Sequence, residues 1–256
     1  KMVFIVDHNV PSDCPKTAAS QKKMRDFAKE NNIDFWEGKG VCHQIMMENY
    51  VCPGELIFGA DSHTCSYGAL GAFGTGVGCT DLLYGMVTGK SWVLVPETVK
   101  FNLVGKLPEG VYARDLILTI IGTIGANGCN YQVMEFTGEG AKTLSISERM
   151  VLCNMAVEAG AKTGIFEPDE KAIEYLEAHG RKPKALFKSD PDAVYAREYT
   201  FDLSKIRPVV AKPDFVDNLV PAEEVRGVKI DEAFLGSCNN GRIEDLRVGA
   251  SIIKGK

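Results

Sequence analysis

Four histidines occur in the 256-residue chain, at positions 8, 43, 63 and 179. Two of them directly follow a short apolar stretch and stand beside a carboxylate, as Asp7-His8 and Asp61-Ser62-His63. A third apolar stretch, Glu232 to Leu235, leads through Gly236 into Ser237-Cys238. In open α/β sheets, ligands bind outside the carboxyl ends of the strands. Three strand ends carrying reactive side chains therefore point to one site. A carboxylate bound to one imidazole nitrogen fixes the tautomer and raises the basicity of the other nitrogen. That is equipment for moving protons. Neighbouring residues on a strand face opposite sides, so Asp7 and His8 pair only if the turn bends them together. Asp61 can meet His43 through space, and Glu135 can meet His63; the sequence leaves both pairings open. His179 falls near a helix C-terminus, where an imidazolium is favoured, and receives no site role. Cys238 lies between a strand and a helix, a setting that stabilises a thiolate as nucleophile or metal ligand. Cys42, next to His43, is a weaker nucleophile candidate. The bland alternatives are a structural histidine and a buried, inert thiol.

The elements that would position these groups alternate in type. Strands are expected at Val3 to Val6, around Ile33 to Trp36, at Leu56 to Ala60, at Trp92 to Val95, at Val99 to Val104, at Gln132 to Phe136 and at Thr163 to Phe166, from short apolar or alternating runs. Tyr199 to Leu203 reads as a strand in a peripheral crossing segment, and Glu232 to Leu235 as a final strand. Helices are expected from Thr17 to Asn31, His43 to Tyr50, Thr80 to Thr88, Ala113 to Ile124, Pro168 to His179 and Ile243 to Ile253. Ser145-Ile146-Ser147-Glu148 has the form of a capping box and opens another helix, closed near Gly160. Such alternation predicts an α/β class with a largely parallel sheet. Pro96 and a change of pattern suggest a boundary near residue 97. The expected divisions are 1–97, 98–228 and a start of a further segment at 229–256.

Gly74-Thr75-Gly76-Val77-Gly78 invites a nucleotide reading, but Cys79 stands where the dinucleotide fingerprint needs its third glycine, and no Walker lysine follows. A tight turn that lets a helix N-terminus approach the site is the preferred reading.

Composition narrows the rest. Lys+Arg 29 against Asp+Glu 34 gives a net charge of −5, with 45% hydrophobic residues. This excludes global disorder and argues against a nucleic-acid surface, which carries a basic excess. No apolar run approaches the ~18 residues of a membrane span. The eight cysteines, at 14, 42, 52, 65, 79, 129, 153 and 238, include no Cys-x-x-Cys pair. They read as free thiols of a reducing, cytoplasmic compartment. Both ends of the chain look cut from a longer polypeptide.

Six motifs occur in order: Val6-Asp7-His8-Asn9-Val10-Pro11, His43-Gln44-Ile45, Gly59-Ala60-Asp61-Ser62-His63-Thr64, Val133-Met134-Glu135-Phe136, Leu152-Cys153-Asn154-Met155-Ala156 and Gly236-Ser237-Cys238-Asn239-Asn240-Gly241-Arg242. In these the chain resembles the aconitase superfamily, nearest to its branch of isopropylmalate isomerase and homoaconitase large subunits. The resemblance implies a three-layer α/β/α sandwich and a hydro-lyase that isomerises a small hydroxy-dicarboxylate by dehydration and rehydration. The substrate implied is 2-isopropylmalate, in leucine biosynthesis, with homoaconitate or citramalate as alternatives. It further implies a [4Fe–4S] cluster on three cysteines, acting as Lewis acid, with Cys238 as the first ligand. By position, Asp7 and His8, His43 and Asp61, and His63 and Glu135 match three imidazole–carboxylate pairs near the reacting oxygen, and Ser62 lines that site. The general base belongs to a separate small subunit. Two departures are visible. Asn239 replaces the usual threonine after the first ligand cysteine. The downstream Cys-x-x-Cys pair is not in this sequence, so this piece is expected to be inactive and free of cluster. Two rivals remain: a non-catalytic module binding a small anion or a protein partner, and a cysteine-dependent hydrolase using Cys238 or Cys42.

Overall fold

The apolar, β-branched runs Val3-Phe4-Ile5-Val6 and Leu56-Ile57-Phe58 form strands, and the amphipathic stretches between them form helices. The computed structural model describes residues 1–255. Its elements run β1 (Val3–Val6), α1 (Pro15–Glu30), β2 (Asp34–Glu37), α2 (Cys42–Asn49), β3 (Leu56–Gly59), a 3₁₀ segment (Ser62–Leu70), β4 (Phe73–Gly76), α3 (Cys79–Thr88), β5 (Thr98–Val104) and α4 (Ala113–Ile124). They continue with β6 (Val133–Thr137), α5 (Glu139–Thr143), α6 (Ile146–Asn154), a 3₁₀ segment (Met155–Ala159), β7 (Thr163–Phe166), α7 (Glu170–Ala178), β8 (Arg197–Asp202), β9 (Val209–Ala211), β10 (Leu219–Pro221) and α8 (Ile243–Ile253). β1 pairs with β2 and β3 with β4, both parallel. β7, β6, β5 and β8 form a four-stranded parallel sheet, and β9 with β10 a short antiparallel ribbon. The fold is α/β with mostly parallel sheets, as the alternation predicts.

The alternation of β5 sorts its faces: Val99, Phe101 and Leu103 are buried, while Lys100 and Asn102 are half-buried. The rings of Phe101, Phe136 and Phe166 line up across the inner face at 5.6 and 5.1 Å. One hydrophobic core takes Met47, Tyr67 and Leu70 from before residue 97 and Phe101, Leu116 and Leu152 from after it. The Ser145 capping box forms: the Glu148 N–H donates to Ser145 Oγ at 3.2 Å, and the Ser145 N–H donates to Glu148 Oε2 at 2.7 Å. It starts α6, which passes into the 3₁₀ segment and stops at Gly160 in the left-handed region.

Three expectations need correction. Trp92 to Val95 is not a strand; Trp92 and Val95 are 79% and 87% exposed. Glu232 to Leu235 is not a strand either, and Phe234 is largely exposed. An apolar run becomes a strand only when another backbone pairs with its N–H and C=O groups, and neither run has such a neighbour among the described residues. Tyr199 to Asp202 lies within β8, an edge of the four-stranded sheet in register with β5 from Val99–Arg197 to Val104–Asp202, rather than in a peripheral crossing, and Leu203 begins the 3₁₀ turn that follows. β9 and β10, three residues each, are too short to leave a periodic signal.

The glycine-rich stretch contains a strand, β4, rather than only a turn. A Cβ on Gly76 would stand 2.8 Å from the Asp61 carbonyl oxygen, so glycine there lets β4 lie against the Asp61 turn. Gly68 is tighter still: a Cβ would stand 1.7 Å from the Gly164 carbonyl oxygen of β7. Both contacts are to backbone, which cannot rotate away. Gly68→Ala is expected to destabilise the fold by about 3 kcal/mol or more, the upper end of overpacking costs. Urea unfolding of the chain checks this, and a loss below about 1 kcal/mol would show that the two segments separate easily.

Candidate active site

β1 ends at Val6 and delivers Asp7 to the tip of the next turn. Asp7 Oδ1 lies 2.8 Å from His8 Nδ1, so the turn does bend the two side chains together. Asp7 Oδ2 accepts the Cys42 N–H at 2.6 Å. The carboxylate thereby caps α2, whose N-terminus has no cap from its own flanking side chain. At the far end of α2, the Arg181 guanidinium donates to the carbonyls of Met47 and, at 2.7 Å, Val51. The helix is gripped at both ends, and its second residue is His43.

His43 is buried, 2% exposed. Its Nε2 is 3.1 Å from Asp61 Oδ1 and its Nδ1 is 3.4 Å from the Tyr67 hydroxyl. Asp61 follows β3 and caps the Ser62–Leu70 segment by accepting the His63 N–H at 2.7 Å. His63 Nδ1 is 3.6 Å from Asp61 Oδ1 and 3.2 Å from Ser62 Oγ. Its Nε2 is 3.6 Å from Glu158 Oε1. The two imidazole rings stand 6.4 Å apart. Cys238 completes the group: Asn154 Nδ2 donates to its Sγ at 3.5 Å.

The charges reinforce one another. Hydrogen bonding to His43 and His63 holds the Asp61 carboxyl far below the usual carboxylate range. Burial opposes the charged form of His43, but Asp61 and Cys238 outweigh it and raise the imidazole well above its ordinary value. Asp61 and Glu158 push His63 up to about 9. His8 is raised mainly by Asp7 and also feels Asp61 and Cys238. Burial alone would raise the Cys238 thiol, yet His43, Asn154 and His63 together bring it below its ordinary value. At neutral pH the arrangement holds charged His43 and His63 interleaved with carboxylates, beside a thiol whose ionised form these neighbours favour.

Asp7, His8, His43, Asp61, Ser62, His63 and Cys238 are thus neighbours in space. Glu135 is not among them. On β6, Met134 and Phe136 take the core face, and alternation turns Glu135 to the opposite face. There it accepts from Ser189 Oγ at 2.9 Å and Tyr195 OH at 3.1 Å. The carboxylate that meets His63 is Glu158, which sequence reasoning missed. A signal was present: Asn154 and Glu158, four apart, are the two polar side chains in the apolar stretch from Val151 to Ala161. Glu158→Gln is expected to drop the His63 titration by about one unit or more, since a close opposite charge is worth that much. A histidine-resolved NMR titration measures it; an unmoved His63 would remove Glu158 from the site.

A cavity of about 620 Å³ opens beside the cluster, with His43, Gln44, Tyr175, Cys238 and Arg242 among its walls. That volume suits a small organic ligand. Among the described residues, no three His, Cys, Asp or Glu side chains are arranged to hold a metal ion. Cys238 supplies one thiolate where a cubane cluster needs several. The described residues by themselves therefore do not fit such a cluster. Also among them, no helix is long and apolar enough to cross a membrane.

Two parallel strand pairs whose carboxyl ends deliver Asp7-His8 and Asp61-Ser62-His63, with an irregular turn bringing Cys238 beside them, define a class. Residues 3–227 match the family model described as the aconitase family (aconitate hydratase), and the chain belongs to that family. It is 51% identical over its whole length to the 3-isopropylmalate dehydratase large subunit of Hydrogenobaculum sp. (strain Y04AAS1), covering 61% of that protein. It is likewise 51% identical to a probable 3-isopropylmalate dehydratase large subunit of Methanothermobacter thermautotrophicus, covering 62% of it. A probable methanogen homoaconitase large subunit of the same organism is 48% identical over 99% of this chain and 60% of its own length. The chain spans about three fifths of the length of the curated relatives it matches.

Proposed function

We propose that this chain carries the acid–base portion of a hydro-lyase large subunit that converts 2-isopropylmalate to 3-isopropylmalate by dehydration and rehydration. The observation that carries this reading is the convergence of His8, His43 and His63, each on its carboxylate, around one thiol beside a small cavity. The relatives' names support it, two being dehydratase large subunits.

In this reading His63, charged at neutral pH, holds a proton ready for a departing hydroxyl. Asp61 and Glu158 keep it charged and fix its ring. His8, largely exposed and polarised by Asp7, passes protons between the site and water. Buried His43 orients Asp61 and, with Asn154 and His63, brings the Cys238 thiol below its ordinary value. In the full-length protein Cys238 would be one ligand of an iron–sulfur cluster, the group that supplies Lewis-acid polarisation in this family. A separate small subunit supplies the base that removes the carbon-bound proton and shapes the pocket for the substrate side chain. The 256 residues alone are inactive in this account.

Homoaconitase is the second reading, favoured by a 48% identical relative of that name. Turnover of 2-isopropylmalate, homoaconitate and citramalate by the full-length protein with its small subunit, prepared without oxygen, decides between them. Preference for 2-isopropylmalate is the expected result. Preference for homoaconitate selects the second reading, and turnover of none of the three ends both.

A further inference from the structure

Beyond Ile206, one residue is buried among those described: Asn239, 5% exposed. The approach to it is open to solvent, with Phe234, Leu235 and Ser237 all exposed, and α8 beyond it has no buried residue. The stretch that carries Cys238 therefore meets the body of the protein with one fully buried side chain, flanked by the half-buried Cys238, Asn240 and Arg242.

That side chain serves three partners with one amide. Its Oδ1 accepts from the Arg114 guanidinium on α4. Its Nδ2 donates to the Val151 carbonyl at 3.2 Å and to Asn154 Oδ1 at 3.0 Å, both on α6. Asn154 in turn donates to Ser66 Oγ at 3.0 Å and to Cys238 Sγ. From the other side, Arg242 closes the turn by donating to the carbonyls of Asn239 at 2.6 Å and Cys238 at 3.4 Å.

We propose that Asn239 is a positioning residue: it docks the Cys238 turn onto α4 and α6 and so holds the sulfur beside His43 and His63. The chemistry of the amide explains the choice. Its oxygen accepts at one end while its two N–H groups donate at the other. A threonine, which the resemblance leads one to expect here, carries one hydroxyl and has a single proton to donate. It cannot satisfy two acceptors on α6 and face Arg114 as well. An aspartate keeps the shape and the acceptor but loses both donors, leaving Asn154 Oδ1 without its partner in a buried place and the Val151 carbonyl with only the Met155 N–H. The positioning claim concerns the sulfur and the two imidazoles, and it holds whichever hydroxy acid is the substrate.

The test uses the 256-residue chain with ¹⁵N-labelled histidine. Ring signals of His43 and His63 are compared in the parent, Cys238→Ala, Asn239→Ala, Asn239→Asp and the double variant Asn239→Ala/Cys238→Ala. Cys238→Ala is expected to move both rings, because a neighbouring sulfur is lost. Asn239→Ala and Asn239→Asp are expected to move them the same way. The double variant should match Cys238→Ala alone, since an undocked sulfur and an absent one look alike to the imidazoles. Amides of residues 229–255 should lose protection from exchange in Asn239→Ala while α6 and β6 keep theirs. A merely structural asparagine would not reproduce the ring shifts of the sulfur deletion. Rings that stay in place when Asn239 is changed, rings indifferent to Cys238→Ala, or shifts that simply add in the double variant would each overturn the proposal. Asn239→Asp, which keeps the amide's shape, supplies the same comparison should Asn239→Ala not fold.

Discussion

Asp61→Asn is expected to lower the turnover of the full-length protein with its small subunit by about 10²–10⁴-fold, the range for a lost acid–base group. The carboxylate is shared by both imidazoles: 3.1 Å to His43 Nε2 and 3.6 Å to His63 Nδ1. Asparagine preserves the outline and can still accept the His63 N–H, so the cap on the Ser62–Leu70 segment survives. What goes is the charge. His63, now at about 9 with Asp61 its leading cause, should fall toward the ordinary histidine range. Its charged form would then be a minority above pH 7, and turnover of the variant should recover partly as pH is lowered toward 6. The same variant in the 256-residue chain gives an independent readout, the His63 ring titration. A variant with parent turnover, or with His63 still near 9, would show that Asp61 does not govern the proton on that ring.

The second large effect concerns stability and lies outside the site. Arg149→Ala is expected to cost about 3–5 kcal/mol, the price of breaking a buried ion pair. Arg149 is 1% exposed and holds Asp169 through two bonds of 2.8 and 2.5 Å, with its guanidinium over the Phe166 ring at 5.4 Å. Truncation leaves a cavity and an Asp169 carboxylate with no cation bonded to it, the nearby charge of Lys171 alone remaining. The pH dependence follows from Asp169. Burial alone would raise its carboxyl, but the Arg149 hydrogen bonds and charge outweigh burial and lower it. A lowered folded-state value means that the stabilisation is fully present above the unfolded carboxylate range, near about 4. It fades as pH falls through the depressed folded value. The gap in urea midpoint between parent and Arg149→Ala should therefore be widest near neutrality and narrow below about pH 4. An equal gap at pH 3 and pH 7 would assign the loss to packing alone.

Much of the fold is legible from local chemistry. Ala113 to Ile124 and the Ser145 capping box can be read because their periodicity and caps lie within one segment. The misreadings share a cause, dependence on a distant partner. Trp92 to Val95 has the right residues for a strand, yet pairing depends on a neighbour that no local pattern reports. β8 has a weak pattern of its own and joins the main sheet because β5 lies beside it. The site divides the same way. Strand ends followed by Asp7-His8 and Asp61-Ser62-His63 announce themselves, because a strand's carboxyl end is where an α/β protein places ligands. The partner of His63 does not. Glu135 and Glu158 are equally acidic, and only the two-residue alternation of β6 against the 3₁₀ path after α6 decides which one reaches the imidazole. Asn239 was visible as a departure from the family, but its three partners lie on helices far away in sequence.

Direct observation of the unsaturated acid is the sharpest measurement. The full-length protein and its small subunit, kept free of oxygen, are mixed with 2-isopropylmalate, and isopropylmaleate is followed by its absorbance, with the Asp61→Asn variant run alongside. The account predicts that isopropylmaleate forms and is rehydrated to 3-isopropylmalate by the parent protein, and that its appearance is slowed at least 100-fold in the variant. Product formed at equal rates by both proteins would contradict it, as would no turnover of 2-isopropylmalate, homoaconitate or citramalate.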